Sequence, residues 1–249
     1  AYEISLGLVG SEMCIRDRSE KTGMNPKMVQ AVLDNSDRIL FAVPIQRIVE
    51  KGLINFDWLA TDKKRAYEAV KKIPCMLIVT RNGQIYSDAG LDFSNHPEGV
   101  MSIPPRDPDK CAREIRENVK KITGRDVAVI ISDTEGAPFI GSLDLARGSS
   151  GIEVVTRKFG DLDLYGKPKF GGIDHTAHEL ACAAALLMGQ TSEGIPAVIV
   201  RGLKYRRSDE GISSYQLGEE TIRAIIKEIV KVTLDIVGLR KLLSLGLLP

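Results

Sequence analysis

The dipeptide Asn82-Gly83 sits between two apolar runs, "CMLIVT" and "QIYS", and it constrains this chain more than any other feature. Asn-Gly tolerates the positive φ values of a tight two-residue turn, so the flanking runs read as an antiparallel hairpin. The rest of the chain alternates helix-like and strand-like stretches, and the hairpin breaks that βαβ rhythm. The fold class expected is therefore α/β to α+β, with mixed β-sheets covered by helices, and not a doubly wound dinucleotide-binding domain.

The helical signals are specific. "NPKMVQAVLDNSDRIL" (25–40) opens with Asn25 as cap and Pro26 in the first turn. "NFDWLATDKKRAYEAVKKI" (55–73) is closed by Pro74. "DPDKCAREIRENVKKITG" (107–124) starts near Asp107 or Asp109 and stops at Gly124. "HTAHELACAAALLMG" (175–189) is Ala-rich, and "EETIRAIIKEIVKVTLDIV" (219–237) is a long final helix. Two continuous apolar runs, "DVAVIISD" (126–133) and "PAVIVRGL" (196–203), read as buried strands, and "GSSG" (148–151) as a flexible turn.

Composition excludes several functions. The formal charge of +1 over 249 residues and the 5% aromatic content offer neither a field nor a stacking surface for nucleic acid. No apolar run reaches the roughly 20 residues of a membrane helix. The C-terminal "IVKVTLDIVGLRKLLSLGLLP" is punctuated by Lys231, Asp235, Arg240 and Lys241 and reads as a packing helix. Cys14, Cys75, Cys111 and Cys182 form no C-x-x-C pair, which fits a reducing cytoplasm. Residues 1–18, "AYEISLGLVGSEMCIRDR", read as translated sequencing adapter, leaving 19–249 as a single domain.

Candidate chemistry begins with Asp92 in "AGLDFSN" and Asp133 in "ISDTEG", each following an apolar strand. Two carboxylates at neighbouring strand ends suit Mg²⁺ or Mn²⁺, which favour oxygen ligands completed by substrate phosphates; each Asp also suits an Asx-turn or helix cap. The stretch "LLMGQTSEGIPAVIVRG" (186–202) places a Gly-containing loop between a helix and a strand. Its backbone N–H groups could surround a phosphate, or it could be an ordinary connection. Asp161 and Asp163 in "RKFGDLDLYGK", and the cations of "KYRR" (204–207), fit either substrate anchoring or solvated surface. His175, His178 and His96 make no H-E-x-x-H zinc pattern, and no G-x-S-x-G elbow supports a serine nucleophile.

Taken in order, "AGLDFSN", "ISDTEG", "DLYGK", "LLMGQ" and "GIPAVIVRGL" resemble the coenzyme F420-0:gamma-glutamyl ligase family, from about residue 24 to 230. The resemblance implies a GTP- and divalent-metal-dependent ligase that adds L-glutamate to coenzyme F420-0, a lactyl-phospho deazaflavin, through an acyl phosphate. It implies an intertwined homodimer, two Mg²⁺ or Mn²⁺ sites, and K⁺ as a further ion. By motif, Asp92, Asp133, Thr134 and Gln190 match the metal set, and Asn95 a nucleotide contact. Leu187, Met188, Gly189, Gln190, Thr191, Ser192, Glu193 and Gly194 match the nucleotide-binding loop. Asp88, Gly141, His178 and Gln190 stand where the family more often has Asn, Arg, Asp and Glu. The family's N-terminal nucleotide-contacting segment has no counterpart, and residues 47–73 read as an insertion. Those departures leave two alternatives: a non-catalytic nucleotide- or deazaflavin-binding homologue, and a ligase acting on another carboxylate.

Overall fold

Three antiparallel strands, β1 (Arg38–Val43), β2 (Met76–Arg81) and β3 (Gln84–Ser87), form a sheet in that order. The computed structural model that shows them describes residues 15–54, 56, 59–137 and 141–238. Asn82 (φ 49°) and Gly83 (φ 74°) both occupy the left-handed region, as a tight hairpin turn between β2 and β3 requires. Along β2 every second residue, Leu77, Val79 and Arg81, is buried, the period-two pattern of a sheet with one covered face. That face is covered by α1 (15–22) and α2 (Pro26–Asp34). Val29 and Val32 of α2 join Met24, Leu77, Val79 and Tyr86 in one apolar core, and Ile15 packs against it.

The Asn25 carboxamide caps α2 by accepting the Lys27 N–H, with Pro26 in the first turn, as expected. The helix does not run on to residue 40. It stops at Asp34, and residues 38–43 pair with β2, Arg38 opposite Thr80 and Val43 opposite Met76. The Asn-Ser-Asp run at 35–37 ends the helix, and an open sheet edge then recruits the β-branched residues beyond it. The β1–β2 connection holds α3 (Ile45–Glu50) and α4 (Lys63–Lys72); this is the stretch that reads as an insertion. α4 starts later than expected because Asp62 caps it at the Arg65 N–H; residues 55, 57 and 58 lie outside the described part.

The second layer begins with α5 (Pro108–Thr123), capped by Asp107 on the Lys110 N–H and closed by Gly124 in the left-handed region. Then β4 (Val129–Ala137) and β5 (Gly141–Ser150) form a two-stranded antiparallel ribbon, against which α5 and α6 (Thr176–Met188) pack. The ribbon is too narrow to bury β4 on both faces, and Val129 to Glu135 are half-buried. "GSSG" is no flexible turn: Gly148, Ser149 and Ser150 are buried at the end of β5. Residues 196–203 form no strand, and Ile199 is 78% exposed. No described strand pairs with them, and apolar composition without a ladder partner does not make a strand.

A second compact unit, residues 215–249, carries α7 (Glu219–Val237), with the bounds its sequence predicts; residues 239–249 of the C-terminal stretch lie outside the described part. Among the described residues, no helix is long and apolar enough to cross a membrane.

One buried carboxylate ties the end of the first unit to its middle. Asp109, 4% exposed, accepts the N–H groups of Ser149 (2.8 Å), Ile212 (2.9 Å) and Ser213 (3.0 Å) and the Ser213 hydroxyl (2.6 Å). Burial pushes this carboxyl up, but the hydroxyl and the three N–H donors outweigh it and hold it below its ordinary 3.8. Its contribution to stability is therefore present above pH 4 and lost as pH falls through the lowered value. We expect Asp109→Asn to cost about 3 kcal/mol at pH 7, measured by urea unfolding. Below pH 4 the difference from wild type should shrink.

Candidate functional site

Asp88 sets up the approach of the chain to Asp92. Beyond β3, Asp88 (φ 46°) and Ala89 (φ 58°) are both left-handed, a costly arrangement for residues other than glycine. The buried Asp88 carboxylate holds it by accepting the Leu77 N–H at 2.8 Å. Gly90 follows at φ 72°, where a Cβ would strike the Tyr86 ring and Pro104. The chain then pairs Asp92 with Ser102 in an isolated bridge. The Asp92 carboxylate accepts the Ser94 N–H (2.7 Å) and hydroxyl (2.9 Å), so an Asx-turn is present. The turn holds the carboxylate while leaving it exposed.

Asp133 is not at a strand end. It lies inside β4, opposite Leu145, because the β5 partner carries the ladder on to Ala137. Successive strand residues face opposite ways, so the ribbon sorts the polar side chains into two groups. On one face, Glu135 and Asp133 meet Arg147, with Nη2 donating to Glu135 Oε2 at 2.8 Å and Nε lying 3.9 Å from Asp133 Oδ2. Burial raises the Asp133 carboxyl, Arg147 lowers it, and the charges of Glu135 and Asp92 raise it again. Asp92 and Asp133, distant in sequence, thus lie close enough for their charges to interact.

On the other face, the Thr134 hydroxyl lies 2.7 Å from Asp144 Oδ1 and 2.8 Å from Gln190 Oε1. Gln190 Nε2 donates to Asp144 Oδ1 at 3.0 Å. Thr134 and Gln190 therefore meet each other directly and also share Asp144, a residue that the sequence reading did not single out. Its position directly opposite Thr134 in the ladder is invisible until the β4–β5 register is known. Among the described residues, no three or more His, Cys, Asp or Glu side chains converge as a ready-made metal cage.

The 187–194 loop joins this region through Asn95, whose Nδ2 donates to the Thr191 carbonyl at 2.8 Å. Gly189 (φ 72°, ψ −179°) takes a conformation essentially reserved for glycine. Glu193 folds back to accept the Thr191 N–H at 2.8 Å. The backbone N–H groups of Thr191, Glu193 and Ser192 hold its carboxyl below the ordinary range. The Thr191 N–H and hydroxyl are thus taken up by the loop's own side chain. Leu187 is exposed, as are Thr191, Ser192 and Gly194.

Other sequence candidates lie elsewhere in the fold. Asp163 accepts the N–H groups of Tyr165 and Lys167, which makes it a turn-former. Asp161 lines a cleft of about 410 Å³ with Lys158, Lys204 and Arg206, so part of "KYRR" does face a cavity, while Arg207 pairs with Asp126 at 2.6 Å. His175 and His178 stack at 3.6 Å, and His178 Nδ1 accepts the Ala146 N–H at 2.9 Å. Burial, His175 and Arg147 push His178 down to about 4, leaving a neutral imidazole that fastens α6 to β5.

Comparison with known proteins bears on this geometry. A family model described as F420-0:Gamma-glutamyl ligase matches residues 11–202. The Coenzyme F420:L-glutamate ligase of Methanopyrus kandleri is 36% identical over 202 residues, covering 81% of this chain and 69% of that protein. The protein of the same name from Methanothermobacter thermautotrophicus is 36% identical, covering 79% and 68%. That from Methanocaldococcus jannaschii is 32% identical, covering 78% and 87%.

Asp88 carries a measurable signature. Burial raises its carboxyl, the Leu77 N–H lowers it and the Glu135 charge raises it further, to about 6. A raised acid favours the folded state only while protonated, so this contribution is intact below pH 4 and lost as pH rises through 6. The full effect is about 3 kcal/mol. Asp88→Asn keeps an acceptor for the Leu77 N–H and should flatten the stability profile between pH 4 and 7, leaving the variant more stable than wild type at pH 7. Urea midpoints across that range provide the check.

Proposed function

The chain belongs to the F420-0:gamma-glutamyl ligase family, and from that premise we propose that it joins L-glutamate to coenzyme F420-0 in a reaction driven by GTP. The carrying observation is the 187–194 loop, which meets the Asp92 turn through the Asn95–Thr191 hydrogen bond and the β4–β5 ribbon, next to Asp133, through Gln190 and Thr134.

The chemistry follows from the acceptor. A carboxylate is a poor acyl donor, because its negative charge repels an amine and oxide is no leaving group. Transfer of the GTP γ-phosphoryl group to a carboxylate oxygen breaks the β–γ bridge, releases GDP and leaves an acyl phosphate. The glutamate amine then attacks the carbonyl carbon, the C–N bond forms, phosphate leaves with the C–O electron pair, and the amine loses a proton to solvent. The protein's part is mainly to align the reacting groups and exclude competing water.

A divalent cation suits the residues present. Asp92, Asp133, Asp144, Thr134 and Gln190 offer only oxygen as ligands in their present arrangement, the donor type that Mg²⁺ and Mn²⁺ prefer. The Asp133 side sets two carboxylates, Asp133 and Glu135, against one guanidinium, a negative surplus that a cation would balance. Asp92 and Asp133 would hold one ion, while Asp144 with Thr134 and Gln190 provides a second oxygen cluster. A bound ion would neutralise charge on the phosphates during transfer. The Gly-containing 187–194 loop would offer its backbone N–H groups to a phosphate once Glu193 moved aside from Thr191.

A homodimer is part of the same proposal. The 157–174 segment exposes Leu164 completely and Phe170 by 92%, and apolar surface of that kind is seldom left to water. The free thiols of Cys75, Cys111 and Cys182 agree with action in a reducing cytoplasm.

Phosphate release measured with GTP, Mg²⁺, L-glutamate and coenzyme F420-0 tests the reading. Release should require all four, and Asp133→Asn should lower it on the order of 10²-fold. Binding of GTP or the deazaflavin without any release would instead identify a non-catalytic homologue. Release supported by a different carboxylic acid would identify another acceptor.

A further inference from the structure

Arg147 belongs to none of the motifs that point to the reaction, yet its side chain reaches both carboxylate-bearing parts of the fold. It owes its position to an irregularity in the β4–β5 ladder. Ile131 pairs with Gly148 and Ser132 with Ala146, so Arg147 is the extra residue of a bulge. Bulges re-aim side chains, and they are common beside functional sites. Here the guanidinium is carried inward, only 5% exposed.

Its contacts form a clamp across two sheets. The guanidinium lies 3.8 Å from the centre of the Tyr86 ring. Nη1 donates to the Ile85 carbonyl at 2.9 Å, and Nη2 donates to Glu135 at 2.8 Å. Glu135 in turn accepts the Ser87 N–H at 2.9 Å and the Ser87 hydroxyl. Gln84 Nε2 donates to the Arg147 carbonyl at 2.9 Å. The strand that leads to Asp92 is thereby fastened to the strand that carries Asp133.

The one group left over is Nε, buried without a hydrogen-bond partner and 3.9 Å from Asp133 Oδ2. That separation is too long for a hydrogen bond but short enough for charge compensation. An arginine bonded directly to Asp133 would occupy the oxygens a cation needs. At 3.9 Å it offsets part of the charge and leaves those oxygens available.

We propose that Arg147, held by Glu135 and Tyr86, is a positioning residue that sets Asp133 in place, with its oxygens free, to hold a divalent cation. This rests on the cation reading above. A purely structural pair behaves differently: replacing a buried ion pair by apolar side chains is often neutral or stabilising.

The double variant Glu135→Leu/Arg147→Met separates the two roles, read by urea unfolding and by the electron paramagnetic resonance signal of free Mn²⁺ during titration. The expected result is an unfolding midpoint close to wild type with Mn²⁺ affinity weakened 10- to 100-fold. A folded double variant with wild-type affinity overturns the proposal. Glu135→Gln gives an independent reading: it preserves volume and loosens the clamp, so affinity should fall several-fold, and unchanged affinity counts against the proposal equally. If wild-type protein takes up no Mn²⁺, or Asp133→Asn takes it up undiminished, the cation reading itself fails and this inference goes with it.

Discussion

The Glu135 carboxylate is shared between two sheets, and the geometry of the candidate site depends on that sharing. It binds Ser87 at the end of β3 and Arg147 in β5 while standing on β4. Together with Arg147, which also meets Ile85, Tyr86 and Gln84, it fastens the three-stranded sheet to the ribbon. Each sheet has its own apolar support, the first on α1 and α2, the second on α5 and α6. Polar contacts between them therefore contribute less to the folding of either part than to their relative placement, and that placement decides whether Asp92 and Asp133 meet.

The same region concentrates negative charge. The Glu135 charge acts on both Asp88 and Asp133, and burial adds to the cost of ionising those two. Arg147 pairs with Asp133 and Glu135, while the other buried arginine nearby, Arg81, donates to the Ala89 and Pro104 carbonyls. A protein selected only for stability would have little reason to retain such an arrangement, whereas a site handling cations and phosphates has a direct one.

Local chemistry made much of the fold readable from sequence. Asn82-Gly83, the Asp107 cap with its Gly124 stop, and the bounds of α7 are set by backbone preferences acting over a few residues. What failed depended on partners. Residues 38–40 look helical until β2 offers them an edge, and residues 196–203 look like a strand although no described strand accepts them. The site divides the same way. Asp92, Asp133 and the 187–194 loop stand out by their context, and the structure bonds the loop to Asn95 on one side and to Thr134 on the other. Asp144 and Arg147 do not stand out, because one depends on ladder register and the other on a one-residue bulge. Asp161 and Asp163 look equivalent in sequence, yet one faces a cleft and the other closes its own turn.

Glu193 folds back on the N–H groups of its own loop, and this has a consequence for selectivity. The Thr191 N–H is already satisfied, so an incoming anion would gain little from it alone. It must dislodge a resident carboxylate that is tethered and always close by. A small, singly charged anion competes poorly on those terms. A larger one that grips several parts of the protein at once would displace Glu193 more readily, if the loop receives a phosphate as proposed above.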